Sequence, residues 1–237
     1  MITNAAVLVV AAHPDDEVLG AGGTVARHVD QGDRVHSLIL AEGSTSRGDH
    51  RNVAEHSDSI DALRAAAGAA AEYLGSEPPE FAGLPDNRMD QIDLLDVIKV
   101  VEEAVRRISP SIVYTHHGGD LNLDHRITHQ AVLTACRPLP GSPVRAVYCF
   151  ETLSSSEWGT PEIGAPFVPN HFIDISAQMA RKQQALTCYR QEMRAFPHAR
   201  SMESVAHLAG FRGASVGVDA AEAFSVARQV LTPNVAL

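Results

Sequence analysis

Short apolar runs alternate with helical patterns through the first two thirds of the chain. The first run, residues 5–12, is continuous and bounded by polar residues, which is typical of a strand buried on both faces of a sheet. The predicted strands are 5–12, 34–41, 111–115, 144–150 and 172–175. The predicted helices are 19–30, 58–74, 92–108, 127–136, 176 to about 193, and 202–209. This order predicts a Rossmann-like, doubly wound α/β fold, with a mostly parallel sheet and helices on both faces.

The chain shows no sign of a division into domains. Two segments rich in turn-forming residues, 83–90 and 154–170, are predicted to be loops. No segment has the composition of a linker, and no internal repeat is visible. A length of 237 residues is enough to bury a substantial core. We therefore expect one domain over residues 1–237.

The charge of the chain limits its partners. The net charge is −10, and no run of lysine or arginine occurs. Nucleic acid and anionic membrane surfaces attract clustered positive charge, so we expect neither as a partner. No stretch approaches the roughly 18 apolar residues that indicate insertion in a membrane. The first four residues lack the positive charge of a signal peptide, which predicts a cytoplasmic location.

The three cysteines, Cys136, Cys149 and Cys188, lie far apart and show no C-x-x-C spacing. We interpret them as buried thiols in a reducing compartment, not as disulfides or a zinc cluster.

A histidine and three consecutive acids follow the first predicted strand, as His13 and residues 15–17. Neighbouring carboxylates repel one another, so a cluster at this point is costly unless a cation is bound. Nitrogen and oxygen ligands together suit zinc or another first-row divalent ion better than magnesium or calcium. The acids alone could instead complement the dipole of the following helix, but that does not explain His13.

The glycines of residues 20–23 do not form a dinucleotide-binding loop. The pattern G-x-G-x-x-G fails at Val25, and acids at the start of the helix would repel a pyrophosphate. We expect these glycines to allow close packing of the helix on the sheet.

A second polar cluster, residues 116–126, follows the predicted strand at residues 111–115. In an open α/β sheet, ligands bind outside the carboxyl ends of the strands, so both clusters are expected in one site. His13 and Asp16 can both reach one metal ion, and His125 is a candidate third ligand, with Asp124 beside it to orient a site histidine. His129, one helical turn further on, is the competing candidate.

These motifs resemble those of one protein family. The segments A-H-P-D-D-E-V-L-G-A-G-G (12–23) and T-H-H-G-G-D-L-N-L-D-H-R (115–126) are similar to the LmbE-like or PIG-L family of zinc-dependent N-deacetylases. L-P-D-N (84–87) and M-R-A-F-P-H-A-R (193–200) extend the resemblance over nearly the whole chain. It implies His13, Asp16 and His125 as ligands of Zn²⁺ or another first-row divalent metal, and Asp15 as the general base.

The resemblance implies further roles and leaves one open. It makes Asp124 a catalytic acid that pairs with a helper histidine two residues earlier, where this chain has Asn122. An amide can hydrogen-bond a substrate oxyanion but cannot deliver a proton. His198 is the first candidate for the missing proton donor, and His116, which can also contact substrate, is the second. Asp15 could also return the proton that it takes.

Two more residues stand where family members place sugar-binding groups. Arg64 is near the start of an alanine-rich helix, where a solvated charge is an equal alternative. Asp86 lies in a Pro-Asp-Asn sequence, where a turn-forming role is the stronger alternative.

The predicted function is hydrolytic removal of an N-acetyl group from a GlcNAc-type amino sugar, by metal-activated water with Asp15 as base. The expected partner is therefore a small acetylated sugar, and the family resemblance also implies homo-oligomers, for which the sequence carries no signal. The alternatives are an amidase acting on a larger sugar-amide conjugate and a non-catalytic sugar- or metal-binding protein. Asp15 favours an enzyme, because a binding protein needs ligands but no base.

Overall fold

The computed structural model describes residues 4–231. The expectation that the chain has no signal peptide rests mainly on residues 1–3, which lie outside the described residues. Seven strands form one sheet in the order β3-β2-β1-β4-β5-β7-β6. Their bounds are β1 Ala6–Ala11, β2 Arg34–Ala41, β3 Glu80–Leu84, β4 Ile112–His116, β5 Ala146–Phe150, β6 His171–Asp174 and β7 Ala221–Gln229. Strands β1 to β5 are parallel, and β7 is antiparallel to both of its neighbours.

Six α-helices of the described residues cover the two faces of this sheet. They are α1 Asp16–Asp30, α2 Ser57–Leu74, α3 Leu94–Ile108, α4 Leu123–Ala135, α5 Met179–Cys188 and α6 Met202–Ala214. One core cluster joins the sheet to α1, α2 and α5, and the other joins its opposite face to α3 and α4. This arrangement confirms the predicted mostly parallel α/β fold with helices on both faces.

The strand order reverses at β1, since the chain moves outward through β2 and β3 and then returns to β4 on the other side. At such a switch point the loops after the two neighbouring strands diverge and leave a crevice. The loop after β1 carries the first polar cluster, and the loop after β4 carries the second. The topology therefore brings together two motifs that are about 100 residues apart in the chain.

The glycine-rich part of α1 lies against the sheet, as predicted. A Cβ atom on Gly20 would overlap the ring of Phe150, and one on Gly23 would lie 2.7 Å from Ile175. No larger side chain fits at either position without movement of its neighbours.

Several predicted boundaries were wrong. Strands β3 and β7 were not predicted, because β3 is a half-buried edge strand and the sequence of β7 contains Glu222, Arg228 and three alanines. Helix α5 is shorter than predicted, and the Ser176 side chain hydroxyl donates to Asp174 instead of capping it. Helix α6 continues to Ala214. None of the helices within residues 4–231 has the length and hydrophobicity needed to cross a bilayer.

Candidate active site

The turn between β1 and α1 sets the position of the acid cluster. Asp15 immediately precedes the helix and has a φ of 107°, a left-handed conformation that is unusual for a residue with a side chain. Its backbone N–H donates to Glu17 Oε2 at 3.0 Å, and the Glu17 carboxylate also accepts from the Tyr189 hydroxyl. Glu17 therefore stabilises the turn, a role more specific than the helix-start charge expected from the sequence.

Three side chains from the two loops meet at the end of β1. His13 Nδ1 lies 3.2 Å from Asp16 Oδ2, and His125 Nε2 lies 3.2 Å from the same oxygen. The two imidazole nitrogens are 3.3 Å apart. These atoms form a nearly equilateral triangle, with Asp16 and His125 buried and His13 partly exposed.

This triangle fits a tetrahedral metal ion. With metal–ligand distances of about 2.0–2.1 Å, the corners of a coordination tetrahedron are separated by about 3.3 Å. Asp16 Oδ1 is buried and has no hydrogen-bond partner in the described part of the chain. A bound cation would compensate the charge of this carboxylate. His13, Asp16 and His125 are thus the residues that could hold a metal.

Each histidine of the triangle has a carboxylate at its other ring nitrogen. Asp124 Oδ2 lies 3.2 Å from His13 Nε2, and Asp120 Oδ1 lies 3.1 Å from His125 Nδ1. Burial raises the pKa of Asp120, but hydrogen bonds with His125 and two serine hydroxyls outweigh it and lower the pKa to about 2. Such carboxylates orient metal-binding imidazoles. Asp120 was missed in the sequence, although it lies inside the second motif.

His13, Asp86 and Asp124 form a second group with closely spaced ligand atoms. Asp86 Oδ1 lies 3.5 Å from His13 Nε2. The other oxygens of the two acids already accept hydrogen bonds, from Ser46 and from the Met89 backbone N–H. Asp86 and Asp124 therefore serve better as hydrogen-bond partners of His13 Nε2 than as metal ligands.

Asp15, the residue before Asp16, is not part of the ligand triangle. It is 1% exposed, and its Oδ2 accepts a hydrogen bond from Arg200 Nη1 at 2.9 Å. Its Oδ1 has no partner among residues 4–231. Burial raises the pKa of Asp15 well above its usual value, and the positive charge of Arg200 opposes this shift. The side chain is therefore a buried carboxylate with one free oxygen, as a general base requires.

Asn122 occupies a structural position at the start of α4. Its side-chain oxygen accepts from the Asp124 N–H at 2.8 Å and so caps the helix. Its amide nitrogen donates to Asn87 Oδ1 at 2.9 Å. Both groups of the amide are thus engaged within the protein.

His116 does not face the opening of the site. It is fully buried, its Nε2 accepts the Ala12 N–H at 2.9 Å, and its ring stacks on His125 with centroids 3.9 Å apart. Burial lowers the pKa of His116 well below its usual value, so the ring is neutral. This position does not fit the predicted contact with substrate or the predicted donation of a proton.

Two other predicted residues also make contacts that differ from their expected roles. His198 is exposed, and its Nδ1 accepts the backbone N–H of Arg200 at 3.0 Å, so it supports the loop next to Asp15. Arg64 is half-exposed on α2, lies 3.9 Å from Asp61 and packs over the Phe81 ring. His129 Nδ1 lies 2.9 Å from the His116 carbonyl oxygen, outside the triangle.

Arg200 is a further site residue that the sequence interpretation missed. The signal was present, since Arg200 ends the 193–200 segment that carries part of the family resemblance. The need for a proton donor points to His198 in this segment, whereas the structure places Arg200 against Asp15.

A mostly parallel sheet, with a His–Asp–His cluster that could hold a metal and a separate buried carboxylate at its switch point, places the chain among α/β proteins with a candidate metal site. Within this class, the chain belongs to the PIG-L family, because the family model described as GlcNAc-PI de-N-acetylase matches residues 8–136, more than half of its length. This confirms the family predicted from the two motifs.

Known relatives of the chain are named either as deacetylases or as a hydratase. A probable N-acetyl-α-D-glucosaminyl L-malate deacetylase of Bacillus cereus is 28% identical, over 80% of this chain and 84% of that protein. A 4-oxalmesaconate hydratase of Pseudomonas putida is 31% identical, over 76% of this chain and 71% of that protein.

The crystal structure of GalB, the 4-carboxy-2-hydroxymuconate hydratase of Pseudomonas putida, has the same fold. It aligns with a TM-score of 0.75 and 28% identity, and covers 98% of this chain and 100% of that chain.

Proposed function

We propose that the protein is a metal-dependent N-deacetylase that removes the acetyl group from a GlcNAc-type amino sugar. The family description and the Bacillus cereus relative support this activity. The observation that carries the proposal is the unpartnered oxygen of Asp15 next to the ligand triangle. A protein that only binds a metal or a sugar needs ligands but no such base.

His13, Asp16 and His125 would hold the metal, and we propose zinc because the donor set is two imidazoles and one carboxylate. When bound, a zinc ion lowers the pKa of water and polarises a carbonyl group. Asp124 and Asp120 hold the outer nitrogens of the two histidines and so keep the inner nitrogens directed at the triangle.

Asp15 would move the proton. Its free Oδ1 accepts a proton from water as the water oxygen forms a bond to the acetamide carbon. The carbon–nitrogen bond then breaks, and Asp15 returns the proton to the departing amine. The products are acetate and the free amino sugar, and no second titrating side chain is needed. This route needs no histidine at position 122, where the chain has Asn122, and no proton from His198, whose Nδ1 accepts the Arg200 N–H.

The test compares metal-loaded wild type with Asp15→Asn on a panel of GlcNAc, its α-glycosides and N,N′-diacetylchitobiose. Release of acetate and of a free amine in equal amounts is expected for the wild type. Asp15→Asn should retain the metal and lose roughly 10²–10⁴-fold in rate. Unchanged turnover by this variant would show that Asp15 is not the base.

A hydratase, which adds water to its substrate, is the second candidate function, since the Pseudomonas putida relative is named as a 4-oxalmesaconate hydratase. The same cluster and base suit that reaction. Loss of ultraviolet absorbance from an unsaturated dicarboxylate, without acetate release from any sugar, would favour it. Release of a larger acyl group from a sugar-amide conjugate would instead indicate an amidase.

A further inference from the structure

We infer that Arg200 is a positioning residue for Asp15: it fixes one carboxylate oxygen and leaves the other free to exchange a proton. The inference rests on the proposed function of Asp15 as a base. Arg200 Nη1 donates to Asp15 Oδ2 at 2.9 Å, whereas Oδ1 has no hydrogen bond from any described residue. The two carboxylate oxygens of Asp15 thus have different environments: Oδ2 is held by Arg200, and Oδ1 is free.

The guanidinium is itself held at a second point. Arg200 Nε donates to Ser154 Oγ at 3.1 Å, in the loop that follows β5. Two nitrogens of one planar group therefore bridge the loops after β1 and β5. A lysine ammonium could contact Asp15 but could not reproduce this fixed pair of directions.

The backbone of the 193–200 loop fixes the position from which Arg200 reaches the site. The Arg200 N–H donates to His198 Nδ1 at 3.0 Å, and the Arg200 carbonyl accepts the Arg194 N–H at 2.9 Å. The Arg200 side chain is 21% exposed, so it is mostly covered but still reachable from solvent. The loop thus presents a partly enclosed cation to a buried anion.

The positive charge of Arg200 also compensates the negative charge of the buried Asp15 carboxylate. Asp15 is 1% exposed, and two further acids, Asp16 and Glu17, follow it directly in the chain. In the part of the chain that the structure describes, Arg200 is the cation in direct contact with it. Removing the guanidinium would leave Asp15 buried among acids, free to rotate and without its counter-charge.

The experiment is a double-mutant cycle on the metal-loaded enzyme, with Arg200→Ala, Asp15→Asn and the combination. The matched control is Arg194→Ala, because this exposed arginine of the same loop donates only to backbone carbonyls. Metal content, melting temperature, kcat and KM are measured for each variant. Arg200→Lys and addition of guanidinium chloride at millimolar concentration to Arg200→Ala complete the set.

We expect Arg200→Ala to lower kcat by on the order of 10²-fold, with KM and metal content unchanged, because misplacement of a reacting group costs this much. Guanidinium should restore part of kcat, and Arg200→Lys should restore less than the native arginine. In the Asp15→Asn background, Arg200→Ala should cause no further loss of activity and a smaller drop in melting temperature. Arg194→Ala should behave like wild type.

An equal loss of kcat in both backgrounds would overturn the inference, as would a rise in KM with kcat unchanged, which would indicate a substrate contact. Additive changes in melting temperature would also contradict it, because they would mean that the two side chains do not interact. If Arg200→Ala fails to fold, Arg200→Gln is used in the same cycle. A wild type that releases no acetate from any substrate contradicts the proposed function, while the melting-temperature cycle still tests the pair.

Discussion

His13 and Asp124, 111 residues apart in the chain, face each other with Nε2 and Oδ2 3.2 Å apart. His13 Nδ1 faces Asp16 and His125, so a metal bound at Nδ1 would leave the imidazole proton on Nε2, in position to be donated to Asp124. The other oxygen of Asp124 accepts the Met89 N–H at 3.0 Å, so the carboxylate cannot rotate freely. Asp124 therefore fixes the orientation of His13, a proposed metal ligand, which is a more specific role than the acid paired with a helper histidine that the family resemblance implies.

We predict that Asp124→Asn weakens metal binding by about 10–100-fold, because the amide loses the charge that holds the His13 proton in place. The measurement is competition for zinc with a chelator of known affinity. Asp61→Asn is the control, since Asp61 is a highly exposed acid on α2. Unchanged zinc affinity together with reduced kcat would instead place Asp124 in the proton transfer itself.

The sequence could predict the inner residues of the site but not those that hold them in place. His13, Asp16 and His125 stand next to strand ends in two motifs of unusual composition, so pattern and topology together indicate them. Arg200 and Tyr189 reach the site from separate parts of the chain, and only tertiary packing shows which oxygen each one contacts. Exposure is equally invisible in sequence, which is why the buried His116 was a candidate for contact with substrate.

Gly20 and Gly68 both lie inside helices and are expected to respond in opposite ways to alanine. A Cβ on Gly20 would overlap the Phe150 ring, whereas nothing lies within 4 Å of one on Gly68. Gly20→Ala should destabilise the protein by about 1–3 kcal/mol through overpacking. Gly68→Ala should stabilise it by about 0.5–1 kcal/mol, because alanine is the better helix former. Denaturant unfolding of both variants checks the contrast, and equal effects would contradict the close packing of α1.

Lys182 and Glu222 form a buried ion pair between α5 and β7, with side chains 5% and 4% exposed. Glu222 also accepts the N–H groups of Gly23 and Thr24, and Lys182 donates to the Leu19 carbonyl. Lys182→Met should cost about 3–5 kcal/mol, because it leaves a buried carboxylate without its counter-charge. The double variant Lys182→Met/Glu222→Gln should recover part of this loss in urea unfolding. Additive effects of the two substitutions would contradict the pairing.

This pair also explains why β7 was not predicted. A strand that contains Glu222 lacks the apolar pattern on which strand prediction depends, yet the glutamate is buried because Lys182 and the backbone of α1 satisfy it. The regular strands β1, β2 and β4 need no such long-range compensation, and their sequences alone indicate them. Local patterns thus predict the centre of the sheet and fail at β7, where burial depends on partners distant in the chain.

The three cysteines should differ in their reactivity towards alkylation. All three are free; Cys136 and Cys149 are buried, as expected from the sequence, whereas Cys188 is half-buried. Burial raises the pKa of both Cys136 and Cys149 to about 12, so at pH 8 only about 1 in 10⁴ of these thiols is ionised. Because the thiolate is the reactive form, iodoacetamide should label Cys188 first in the native protein and all three cysteines only after unfolding. Peptide mass spectrometry of samples quenched over time measures the order, with protein in urea as the control. Labelling of Cys149 at the rate of Cys188 under native conditions would mean that β5 is open to solvent.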